Sequence, residues 1–123
     1  MKLLVVDDDI IILQAMKSFL EKEGFEVTTT VDAQEALKII EEQKDELDLV
    51  ISDIMMPFIS GIELLTSIKE IKASIPIVIV SALDQKEVIM MAFQLGAEDF
   101  VKKPINMDEL IIRVQKALNT VQA

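Results

Sequence analysis

Hydrophobic and polar positions follow two alternating periods along this chain. Short, nearly continuous apolar runs (Leu3–Val6, Leu49–Ile51, Ile77–Val80 and Phe100-Val101) each stop at polar residues or a turn signal. Runs of this length bounded by turns read as strands buried on both faces of a parallel sheet. Phe25 to Thr29 is β-branched and alternating and reads as a further strand. Between the strands, apolar residues recur at helical spacing: Ile12, Ala15, Met16, Phe19 and Leu20, then Ala36, Leu37, Ile39 and Ile40. The predicted strands are 2–7, 25–29, 48–52, 76–80 and one holding Phe100-Val101. The predicted helices are 9–23, ended by Gly24; one opened by Asp32; about 61–72; one capped by Asp84 and ended by Gly96; and one capped by Asn106 or Asp108 that runs to about 119.

Five strands in strict alternation with five helices predict an α/β fold with a parallel sheet. Right-handed crossovers place helices on both faces, giving a doubly wound three-layer sandwich. No linker, low-complexity tract or charge block divides residues 1–123, so one domain is expected. Its 51% hydrophobic content argues against disorder. No apolar run reaches the roughly 20 residues of a membrane span, and Met1-Lys2 leads straight into a strand rather than a signal peptide. Cysteine is absent, which removes disulfides and thiolate chemistry and fits a cytoplasmic protein. Histidine is absent too, removing the commonest general base and zinc ligand. A net charge of −10 argues against nucleic-acid binding by this domain. Solubility accounts for most of that acidity; the clustered aspartates need a separate explanation.

In an open parallel sheet, ligands bind beyond the carboxyl ends of the strands. The runs there end in Asp7-Asp8-Asp9, Asp53, Ser81 and Lys102-Lys103-Pro104. The first and third strands are neighbours in a doubly wound sheet, so Asp7, Asp8 and Asp53 converge. Three carboxylates without a cation repel and raise one another's pKa. A hard divalent cation such as Mg²⁺ resolves this with oxygen ligands and a substrate phosphate. Asp9 is better explained as a helix cap. Asp53 precedes Ile54-Met55-Met56-Pro57 rather than a helix, and a loop carboxylate beside a metal can attack phosphorus. Ser81 and Lys103 supply a hydroxyl donor and a point charge for phosphoryl oxygens. Lys103 precedes Pro104, which restricts its backbone and leaves both isomers of the bond open.

Together VVDDD, DIMMPxxxG, IVIVSA and DFVKKP resemble the receiver domain of two-component response regulators, over the whole chain. The resemblance implies a flavodoxin-like fold with strand order 2-1-3-4-5. It implies Asp53 as phosphoacceptor. It also implies Mg²⁺, with Mn²⁺ as a substitute, held by Asp8, Asp53 and the backbone carbonyl of Met55, and by Asp7 mainly through water. Ser81 and Phe100 would be the switch residues, and Lys103 the phosphate contact. A histidine kinase or histidine phosphotransfer protein would supply the phosphoryl group, as would small phosphodonors. The product is a signalling acceptor, not a turnover enzyme. Phe100 stands where tyrosine is frequent, and Ser81 where threonine is equally common. Apolar Met55 and Leu83 stand where polar side chains assist the attacking water in some members, so slow self-dephosphorylation is expected.

Partner surfaces follow from surplus apolar positions. In the fourth helix, Val88, Met91, Ala92 and Leu95 form a core stripe, leaving Ile89, Met90 and Phe93 as either a wider buried stripe or a partner surface. In the first helix, Ile11 and Leu13 flank a stripe built on Ile12 and Met16. By the resemblance, Ile11, Gln14, Met56, Pro57 and Phe58 would meet the kinase, and helix four, strand five and helix five would form a phosphorylation-dependent homodimer surface. Two rivals stand. Asp7-x-Asp9 also resembles the first motif of haloacid-dehalogenase-type phosphatases, with Asp7 as nucleophile; a receiver-like module without phosphorylation is the other. The intact set Asp7, Asp8, Asp53, Ser81 and Lys103 argues against the second. A free-standing regulator and the receiver part of a longer protein are equally compatible with the chain.

Overall fold

Strands Lys2–Val6 (β1), Glu26–Thr30 (β2), Leu49–Asp53 (β3), Ile77–Ser81 (β4) and Asp99–Lys102 (β5) alternate with helices Ile10–Lys22 (α1), Ala33–Gln43 (α2), Gly61–Ile71 (α3), Lys86–Gln94 (α4) and Met107–Gln122 (α5). The computed structural model describes residues 1–55, 60–82 and 86–122. All strand pairings are parallel, in the order β2-β1-β3-β4-β5. Alternation along each strand divides the core in two. Leu4, Val6, Val50, Ile77 and Ile79 face α2, α3 and α4. Leu3, Val5, Leu49, Ile51, Val78, Val80 and Val101 face α1 and α5. Burial on both faces is why the strands read as continuous apolar runs. Each fully buried Leu or Ile contributes about 2 kcal/mol of transfer free energy.

Local chemistry sets the helix ends. The Asp9 carboxylate accepts from the amides of Ile11 and Ile12 at 3.0 and 3.3 Å, and Asp32 accepts from Gln34 at 2.9 Å, capping α1 and α2. Asn106, not Asp108, caps α5, accepting from the Glu109 amide at 3.2 Å. Ser60 caps α3 through the Glu63 amide at 3.1 Å, a serine followed three residues on by glutamate. Asp84 lies outside the described residues. Gly24 and Gly96 follow α1 and α4 with φ of 96° and 114°, which a side chain would disfavour. Gly61 answers a different need. Its amide donates to the Ile54 carbonyl at 2.9 Å, and a Cβ there would overlap the Ile54 backbone.

The observed β2, β3 and β4 lie one residue later than the sequence pattern predicts. Backbone pairing continues past the apolar side chains, so Asp53 pairs with Val80 and Ser81 with Lys102 inside the ladder. Helix phase needs two larger corrections. In α4 the buried residues are Ile89 and Ala92, while Met91 and Leu95 are 50% and 43% exposed. Ile89 is therefore core and not partner surface; Met90 and Phe93 are exposed. In α1 the buried residues are Leu13, Met16 and Leu20, so Leu13 is core and Ile12 only half-buried. Both errors have one cause: a helix turn apolar nearly all round offers no polar face from which to fix its phase.

Candidate functional site: carboxylates and a lysine at the sheet edge

Because β1 and β3 are neighbours, the chain brings Asp7, just past β1, beside Asp53 at the end of β3. Asp7, Asp8 and Asp53 each offer a carboxylate oxygen, and all these atoms lie within 4.8 Å of one another. Asp7 and Asp53 are buried, and Asp8 sits exposed at the rim. The Asp7 amide donates to the Thr30 carbonyl at 3.2 Å, tying this corner to β2.

Lys103 closes the site from the far side. Its Nζ lies 2.9 Å from Asp53 Oδ2 and 3.6 Å from Asp7 Oδ2. The Lys103 amide donates to the Ser81 carbonyl at 2.7 Å, fixing the backbone from which the side chain reaches inward. The Lys103-Pro104 bond is cis. Lys102 is exposed on β5, so the lysine beside the proline is the one that enters the site. Ser81 is buried at the end of β4, and its hydroxyl donates to the Ala82 carbonyl at 3.2 Å.

The Asp53 carboxylate is held at both oxygens. Oδ2 takes the Lys103 ammonium, and Oδ1 accepts from the Met55 amide at 3.0 Å. That amide contact adds a third role for Met55, beside the carbonyl and the apolar side chain that the sequence points to. The Met55 side chain is 55% exposed at the rim. Asp7 is held less completely. Its Oδ1 accepts from the Asp9 amide at 2.9 Å, but its Oδ2 is buried and, among the described residues, accepts no hydrogen bond.

The electrostatics follow from this geometry. Burial pushes the Asp7 carboxyl up to about 6; the Asp9 amide opposes this, the charge of Asp53 adds to it, Lys103 opposes it and Asp8 adds to it. Burial acts to lower the Lys103 ammonium, but its hydrogen bond to Asp53 and the charges of Asp53 and Asp7 win, holding it above its ordinary value. Among the described residues, three carboxylates against one ammonium leave a surplus of negative charge, and one buried oxygen lacks a donor. Oxygen-only donors with that surplus fit a hard divalent cation.

Phe100 lies half-buried on β5, level with Ile79 of β4. Ile11 is 76% exposed and Gln14 is exposed on α1. Met56, Pro57 and Phe58, expected at the kinase contact, and Leu83, expected near the attacking water, lie outside the described residues. Among the described residues, no helix is long and apolar enough to cross a membrane.

The response regulator receiver domain family matches residues 3–115. Response regulator SaeR of Staphylococcus epidermidis is 37% identical over 116 residues, covering 94% of this chain and 49% of that protein. SaeR of Staphylococcus aureus is 34% identical over 120 residues, covering 98% and 51%. The chain thus spans about half the length of these curated relatives. A receiver domain protein from Clostridium thermocellum superposes with a TM-score of 0.94 at 34% identity, covering 98% of this chain and 96% of that one. The receiver domain of NtrX from Brucella abortus superposes with a TM-score of 0.90 at 35% identity, covering 96% and 98%. The phosphatase alternative is not favoured. On the profile, the relatives and the superposed structures alike, this chain belongs to the response regulator receiver domain family.

Proposed function

We propose that this chain is a receiver domain, residues 1–123, that accepts a phosphoryl group on Asp53 from the phosphohistidine of a histidine kinase or histidine phosphotransfer protein. The support is the short Lys103–Asp53 pair, 2.9 Å long, set beside the buried Asp7. An Asp53 oxygen attacks phosphorus, the P–O bond forms as the P–N bond breaks, and the released imidazole keeps the electron pair. Lys103 follows the charge onto a phosphoryl oxygen, and the Ser81 hydroxyl turns from the Ala82 carbonyl to donate to another. Burial of Asp53 excludes water from the reacting carboxylate. Mg²⁺ is the fitting cation, with Mn²⁺ as a substitute; Asp7, Asp8, Asp53 and the Met55 carbonyl would hold it, and it neutralises phosphoryl charge when bound. The domain acts once per phosphoryl group, as a signalling acceptor.

The phosphodonor would approach over Ile11 and Gln14 of α1. The output surface is the α4–β5–α5 face, where Met90, Phe93 and Ile112 are exposed apolar residues fit for a homodimer contact. The test is intact mass after incubation with acetyl phosphate and Mg²⁺. One labile phosphoryl group is expected on the parent chain and none on Asp53→Asn. Steady release of phosphate without an adduct would overturn the proposal.

A further inference from the structure

Phe93 is both exposed and engaged. It is 41% exposed on α4, yet its ring meets Phe100 of β5 edge to face, with centroids 6.1 Å apart and planes at 85°. That is the favoured geometry for an aromatic pair. Phe100 needs such a partner more than a tyrosine would, because it has no hydroxyl to anchor its outer end.

The surroundings tie this pair to the phosphoryl site. Phe100 pairs in register with Ile79, and Ser81 lies two residues beyond Ile79 on the same strand. Side chains two apart share a face. Ser81 and Phe100 therefore project from the same side of the sheet, onto the core that Ile89 and Ala92 of α4 help to form. On the receiver reading, displacement of Ser81 toward a phosphoryl group would open space on this face for Phe100, and a move of Phe100 would change what Phe93 touches.

We propose that Phe93 is a positioning residue. Its ring holds Phe100 in the rotamer that accompanies the free Asp53 carboxylate, and so sets the ratio of the two switch states. Two consequences follow. A partner that covers the exposed part of Phe93 biases Phe100 directly, without touching the carboxylates. A phosphoryl group on Asp53 has to overcome the aromatic contact before the α4 surface rearranges. The second consequence rests on the receiver reading above; the first does not.

The test reads Phe100 itself. The chain has five phenylalanines and no tyrosine or tryptophan, so ring-labelled phenylalanine gives few signals to assign. The Phe100 χ1 populations are measured by NMR, without phosphodonor, in the parent, Phe93→Leu and Phe93→Tyr. Loss of an edge-to-face pair shifts a two-state ratio by about two- to tenfold. Phe93→Leu is expected to move the Phe100 populations by that factor, and Phe93→Tyr to keep the parental ratio. Unchanged populations in Phe93→Leu, with the fold intact by the dispersion of its other signals, would overturn the proposal. Addition of acetyl phosphate and Mg²⁺ then separates the two claims. Absence of an adduct on the parent chain tells against the receiver reading, whereas the positioning role of Phe93 stands or falls on the first measurement.

Discussion

Lys103 Nζ donates to Asp53 Oδ2 at 2.9 Å, joining two residues fifty positions apart across the carboxyl edge of the sheet. Asp53 is almost wholly buried, so this ammonium is its main counter-charge. Removing one partner of a buried pair leaves the other charge uncompensated. Lys103 is partly exposed, which moderates the cost. Lys103→Met is expected to lose about 1–3 kcal/mol in urea unfolding with EDTA present. It should also form the phosphoryl adduct far more slowly. Parental stability in EDTA would contradict the first expectation.

Asp7 makes stability depend on pH in an unusual direction for an aspartate. Its folded-state value, about 6, lies above the ordinary 3.8. Between those values the native state binds more protons than the unfolded chain, so stability falls as pH rises through this window. The full penalty, about 3 kcal/mol, is present above pH 6 and absent below about pH 4. Metal-free Asp7→Asn should therefore be the more stable protein at pH 7.5, and the two should converge near pH 4. Mg²⁺ should stabilise the parent more than the variant. Urea titrations at the two pH values, with and without Mg²⁺, check both signs.

Gly61 marks a close approach of backbones just past β3. A methyl group there would meet the main chain of Ile54, the residue after Asp53. Main chain cannot yield as a flexible side chain can, so Gly61→Ala is expected to cost about 2 kcal/mol or more. Because Ile54 adjoins Asp53, the variant should also alter the Asp53 backbone amide shift. A neutral substitution would mean that α3 can move away from β3.

If Asp53 accepts a phosphoryl group, Met55 is expected to affect the lifetime of the adduct. Its amide holds Asp53 Oδ1 while its apolar side chain lines the rim, where a polar side chain would orient an attacking water. Met55→Asn combined with Leu83→Glu is expected to shorten the phosphoryl lifetime by about tenfold or more. Phosphate release after removal of the donor measures this, and equal lifetimes would contradict it.

Much of the fold is legible in the sequence because parallel strands buried on both faces leave continuous apolar runs, and because Asp9, Asp32 and Gly24 mark helix ends by local chemistry. The convergence of Asp7, Asp8, Asp53 and Lys103 is legible for the same reason: each stands where an apolar run stops. Strand ends shift by one residue because hydrogen bonding reaches Asp53 and Ser81 irrespective of polarity. The phases of α1 and α4 are not legible, since Ile10 to Leu13 and Val88 to Ala92 hold too few polar residues to mark an outer face. The Met55 amide contact is beyond any side-chain pattern, because it depends on how the backbone turns after β3.

The acceptor itself can be located chemically. Borohydride reduces an acyl phosphate to an alcohol, converting the phosphorylated aspartate to homoserine. After acetyl phosphate, Mg²⁺ and borohydride, peptide mass mapping should find homoserine at position 53 and unmodified aspartate at positions 7, 8 and 9. Homoserine at position 7 would contradict the assignment of Asp53 and restore the phosphatase-like alternative.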